Sequence, residues 1–184
     1  VRPSVLPTTG LDLTTWAENI IPAVVAFFAQ NNVDLPKRRR IVPGQLQLDA
    51  WDCEQVSVGV TGINDSGARG QGTTSAAPRS GTPFSAMKVR QVTYGIQIVR
   101  CAGSCNQPSF DTNTDDYHEA GLQQLRDMGL LSQVLVNLAS SPPDWHPKGA
   151  AMDAGQVTPI GPDGNMYAIE GAVTFSALAL AAAP

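Results

Sequence analysis

Charge is what this sequence has least of. Asp, Glu, Lys and Arg make up 15% of its 184 residues, against the ~25% usual in soluble domains. So sparse a charge fits a chain whose surface is largely taken up by neighbours. The balance is acidic, net −4 with pI near 5.0, which argues against bulk nucleic-acid binding. Cysteine is also rare. Cys53, Cys101 and Cys105 are too few and too unevenly spaced for a disulfide scaffold, which points to assembly in a reducing cytoplasm. His118 and His146 are unpaired in sequence, so the Cys101/Cys105 spacing lacks the further ligands of a zinc site. No run reaches the ~18 apolar residues of a membrane span, and no signal peptide is visible. HExxH, paired CxxC, Walker and acidic metal motifs are all missing, and neither histidine lies in a nucleophile-elbow context. The expectation is a protein that is not an enzyme and uses no cofactor or metal.

What is present is a pair of alternating segments. In Asp52 to Ile63, Val56, Val58 and Val60 share one face; in Lys88 to Cys101, Val92, Tyr94, Ile96 and Ile98 share one. Period-two alternation with β-branched residues predicts half-buried strands. Antiparallel pairing with Val56 against Ile98, Val58 against Ile96 and Val60 against Tyr94 brings the apolar faces together, and burial of that kind fixes register. The same register sets Cys53 opposite Cys101. A bond between them is sterically conceivable but is not expected in a reducing compartment.

The remaining segments cover this pair or project from it. The length suits one domain, 1–184, with tails or an insertion. Residues 1–10, with Pro3 and Pro7, read as an extended arm. Leu11 to Asn32 carries an apolar stripe, with Thr15 and Glu18 at capping-box spacing and Pro22 set to kink or split the helix. Lys37, Arg38, Arg39 and Arg40 form a basic run, either a contact for DNA or an acidic partner or a solvated corner after the helix. Ile41 to Ala50 allows a short edge strand. Residues 64–86 form a Gly/Ser-rich hairpin tip with Arg69 and Arg79, and Lys88 and Arg90 just beyond; loops of this length are functional or disordered. Thr114 to Ala139 is a second helix with Leu122, Leu125, Met128, Leu131, Leu135 and Leu138 as its stripe. Trp145 is expected to plug the sheet edge. Gln156 to Ile160 and Asn165 to Leu178 read as a last hairpin, followed by a small apolar tail at 179–184. The predicted class is α/β in the α+β sense. One mostly antiparallel sheet of about four strands carries two helices, in the order α-β-β-α-β-β, with a long hairpin extension.

That element order resembles the tail-terminator proteins of long-tailed bacteriophages. The stretches LPKRRRIVPG and AWDCEQVSVGV, and a strand ending in VRC, are similar to a tail-terminator or neck family in phages of actinobacterial hosts. The resemblance covers about Trp16 to Cys101. It implies a virion protein in a homo-oligomeric ring, six subunits in number, at the head-proximal end of the tail tube. There it would stop tube polymerisation and meet the head's stopper or connector proteins, while genomic DNA passes through without sequence-specific binding. Under it, Lys37 to Arg40 would face a subunit or the DNA channel, and Arg69, Arg79, Lys88 and Arg90 would serve the tube-docking tip. A head-to-tail stopper ring is the nearest alternative. A ligand-binding or enzyme module with an unrecognised site is a distant one.

Overall fold

The computed structural model describes residues 13–42, 54–67, 88–102, 114–146, 150–163 and 166–179. Its centre is the pair the alternation predicts. Strands β2 (Gln55–Gly67) and β3 (Lys88–Cys101) run antiparallel, with Val56 opposite Ile98, Val58 opposite Ile96 and Val60 opposite Tyr94. A bulge between Val60 and Gly62 then shifts the register, so that Ile63 rather than Gly62 lies opposite Val92. On its other side β3 pairs antiparallel with β5 (Met166–Ala179), which pairs with β4 (Ala150–Asp163).

The class is α+β, as expected, but among the described residues the sheet has five strands, in the order β1-β2-β3-β5-β4. The additional strand is β1 (Arg38–Val42), parallel to β2. It corrects the reading of the basic run as a mere corner, because Arg38, Arg39 and Arg40 are themselves strand residues. Their sequence gave no alternation to read, since every side chain but Val42 is exposed on this edge. Most of the expected strand at 41–50 falls outside the described residues. Strand β4 is six residues longer at its start than the pattern suggested. Its half-buried positions there are Ala150, Met152 and Ala154, and with alanine at two of the three the alternation is too faint to notice.

Both helices pack on the face that carries Val56, Val58, Tyr94, Ile96, Ile169 and Phe175. Helix α1 (Leu13–Gln30) buries Trp16, Ala17, Ile20, Ile21, Val24 and Phe28. The Trp16 ring lies 4.3 Å from Tyr94, 4.6 Å from Phe175 and 6.4 Å from Trp145. Trp145 thus extends the aromatic core cluster. The helix runs unbroken through Pro22, which sits on the exposed side, where water reaches the carbonyl left without its donor. Thr15 lies inside the helix and its carbonyl accepts the Asn19 Nδ2 amide at 2.7 Å, so the expected capping box is not formed. The carboxyl end stops as the paired asparagines suggest. Asn32 takes a left-handed φ of 55°, and the N–H groups of Asn31 and Val33 both donate to the Phe28 carbonyl, satisfying one of the carbonyls a helix end leaves open.

Helix α2 (Thr114–Ser140) buries Leu131, Val134 and Leu135. It lies close to β5 because residue 171 is glycine: a Cβ there would sit 3.0 Å from both Leu131 Cδ2 and Leu135 Cδ1. The expected leucine stripe is only half right. Leu122 and Leu125 are 56% and 66% exposed, because a period of 3.6 carries them round to the side of α2 away from Leu131. Among the described residues no helix is long and apolar enough to cross a membrane.

Candidate functional site

One end of the sheet gathers its polar groups around Arg100, near the end of β3. Its side chain points to the helical face, opposite Tyr167 of β5. Nε donates to Asp127 Oδ2 at 2.5 Å, and Nη2 donates to the Asp34 carbonyl at 2.8 Å. Asp127 is 1% exposed, on the buried side of α2, and also accepts the Gln123 amide at 2.7 Å. A buried carboxylate persists only when paired and hydrogen-bonded, and this one has both. Glu54 completes the group from the start of β2, in a left-handed conformation with φ 60°. One of its oxygens accepts the Cys101 N–H at 3.2 Å and the other lies 4.0 Å from Arg100 Nη1. Burial pushes the Tyr167 hydroxyl up to about 12; Arg100 pulls it down, while Asp127 and Glu54 add to the rise. An open cleft of about 480 Å³ lies alongside, lined by Asp34, Leu35, Pro36, Lys37, Arg38, Glu54 and Arg100. Arg100 and Asp127 are paired with each other, and the arrangement ties β3 and α2 to the segment that follows α1.

The cations singled out from the sequence do not converge. Lys37 and Arg38, Arg39 and Arg40 lie exposed at this end. Lys88 and Arg90 open β3 at the opposite end, beside Gly67 and Asp65 of β2. Arg40 is level with Ser57 and Arg90 with Asp65, a separation of roughly 25 Å along the strands. Arg69 and Arg79 lie outside the described residues, as do 1–10, 68–86 and 180–184. Residues Asn64 to Gly67, assigned to the tip, belong to strand β2. Cys101 is disulfide-bonded, against the expectation that bonding would be absent; Cys53 and Cys105 lie outside the described residues. His118 is exposed, and His146 Nε2 sits 2.9 Å from the Ala150 carbonyl. Among the described residues no group of three or more His, Cys, Asp or Glu side chains is placed to hold a metal ion.

The most distinctive surface is the outer side of the helical layer. Leu122, Leu125, Gly129, Ser132 and Val136 recur at spacings of three and four, a single stripe on α2. All five are exposed, and nothing stands within 4 Å of where a Gly129 side chain would begin. From Met128 to Ser140 the helix has no charged residue. Beside it α1 has one, Glu18, and shows Pro22, Ala26 and Ala29 to solvent. Sequence reasoning missed this surface by assigning Leu122 and Leu125 to the core. The signal was available: Asp127 and Leu131 cannot share a face with Leu122.

No protein-family model matches the chain, and no curated protein is significantly similar to it.

Proposed function

We propose that this chain is a structural subunit of a long-tailed phage virion. It forms a ring at the head-proximal end of the tail tube, ends tube polymerisation and joins the tail to the head's connector. The observation that carries the reading is the uncharged outer helical stripe, with Leu122, Leu125 and Val136 between 50% and 66% exposed. An apolar surface of this kind marks a contact with another protein. The sheet supports it, since β4 is an outer strand and nothing among the described residues pairs with its far side. The element order agrees with the resemblance read from the sequence, with β1 as one strand more.

In this reading the Arg100–Asp127 group keeps the body rigid, and the apolar outer layer meets neighbouring proteins. Lys37 to Arg40 lie on an edge of the subunit and Lys88 and Arg90 at the base of the β2–β3 extension, so the two basic sets serve different contacts. The test is electron microscopy of particles produced without this protein. Overlong tails without heads are expected. Tails of normal length beside detached heads would instead make it a stopper on the head side, and normal infectious particles would refute both.

A further inference from the structure

The outer stripe of α2 keeps a stricter spacing than an exposed helix face requires. Leu122, Leu125, Gly129, Ser132 and Val136 are separated by three, four, three and four residues. That is the heptad spacing of a seam between two helices. Leu122, Gly129 and Val136 hold one of its two apolar positions, and Leu125 and Ser132 the other. Asp127 and Val134 lie on the reverse of the helix from this seam and are buried in the chain's own core. One side of α2 therefore serves the fold, and the other is left to solvent.

The seam is uneven along its length. Its leucines fall in the first half and its small residues, Gly129 and Ser132, in the second. A Cβ at residue 129 would meet nothing within 4 Å, so the helix carries a notch there that its own chain leaves empty. Two copies of α2 packed in the same sense would set Leu122 against Leu122 and Gly129 against Gly129, leaving a void at the glycines. In opposite senses the two heptad positions face each other. One register sets Leu122 against Ser132 of the other copy and Leu125 against Gly129, and does so twice about a two-fold axis. Each leucine then enters the hollow over a small residue, a knob in a hole.

Charge selects the same arrangement. The charged residues of α2 all lie between Asp115 and Asp127, with none from Met128 to Ser140. Helices in the same sense would bring Glu119 beside Glu119 and Arg126 beside Arg126, both exposed, and like charges so placed repel. The antiparallel register lays the charged half of each helix along the uncharged half of the other. It also opposes the two helix dipoles.

From this we infer that the occupant of the outer α2 stripe, in the protein before assembly, is the same stripe of a second copy. The two helices pack antiparallel, with Leu125 of each over Gly129 of the other. The contact is isologous, so it closes at two copies. It is therefore not the contact that builds a ring. It covers the stripe off the particle, and it has to open before the stripe meets another virion component. The inference shares with the proposed function only the premise that the stripe is a contact surface.

The test uses the full chain. Gly129→Leu adds a side chain where the fold has open space, so the variant should keep the parent's circular dichroism. On a surface that is merely sticky, an added leucine strengthens self-association. In the antiparallel seam it takes the place of the partner's Leu125, and the dimer dissociation constant from sedimentation should rise on the order of tenfold or more. Leu122→Cys together with Ser132→Cys gives the second readout. The two positions are about 15 Å apart along one helix, so a shorter bis-maleimide joins them only between copies. The same distance separates equal positions across the pair, so each single variant should give only the parent's background. The double variant is expected to give a covalent dimer and nothing larger. A parent that stays monomeric at every concentration, or a Gly129→Leu variant that associates as well as the parent or better, overturns the pairing. A double variant that stays uncross-linked while the parent dimerises overturns it too. None of these results bears on particles produced without the protein, so the tail-end reading stands or falls separately.

Discussion

Asp127 is the residue whose replacement tests the fold most sharply. Its side chain is 2% exposed and its partner Arg100 13%, so water cannot stand in for either. Asp127→Leu leaves the guanidinium with the Asp34 carbonyl and a Glu54 oxygen 4.0 Å away. Arg100→Met leaves a buried carboxylate with only the Gln123 amide. Removing one member of a buried pair costs about 3–5 kcal/mol, a large part of the ~5–15 kcal/mol that holds a domain of this size together. Replacing both, as Arg100→Met with Asp127→Leu, removes the two desolvated charges at once. That double variant is expected within about 1 kcal/mol of the parent, because apolar substitution of a buried pair is often neutral. Urea unfolding at neutral pH, followed by circular dichroism and tryptophan fluorescence, gives all four free energies. Singles that lose less than about 1 kcal/mol, or a double that loses the sum of the two, would refute the coupling.

Gly171→Ala places a methyl group 3.0 Å from the Leu131 and Leu135 side-chain ends and should lower stability by about 1–3 kcal/mol; an unchanged denaturation midpoint would show that α2 has room to move. Burial holds the Glu170 carboxyl above its ordinary value, so the folded chain keeps a proton that the unfolded chain gives up. Its contribution therefore favours the folded state at low pH, and that benefit is lost as pH climbs from the ordinary carboxylate value through the raised one. Glu170→Gln should gain melting temperature relative to the parent between about pH 4 and about pH 7, and an equal difference at both would contradict the assignment. Leu122→Ser with Leu125→Ser should leave unfolding free energy within about 0.5 kcal/mol per site while weakening association with other virion components in co-sedimentation; unchanged association would remove the helical stripe from the interface.

The central strands were legible because their apolar side chains alternate and only one register buries both sets. Val56, Val58 and Val60 pair with Ile98, Ile96 and Tyr94 as read from sequence. Past Val60 the alternation loses its meaning, since a one-residue bulge changes which side chain faces the helices, and Ile63 emerges on the edge. Strand β1 was illegible for a different reason: three arginines exposed on a parallel edge carry no hydrophobic signature. Arg100 and Asp127 went unnoticed because their partnership spans 27 positions. An aspartate on the leucine-rich side of a helix was the clue, as it demands a cation that only the folded chain supplies. The outer stripe of α2 was misread because leucine spacing alone does not say which face is covered.

The Trp16 ring rests on Phe175, and Thr93 bonds Thr174, so both the first helix and the middle of the sheet wait for β5. Trp16 and Phe175 stand about 160 positions apart, which at ~5–20 residues per second is on the order of ten to thirty seconds of synthesis. Through that interval the apolar sides of α1 and of the β2–β3 hairpin have no cover on a growing chain. Timing of this order makes completion of the core a late event: only when β5 has been made do the early segments gain the cover they lack.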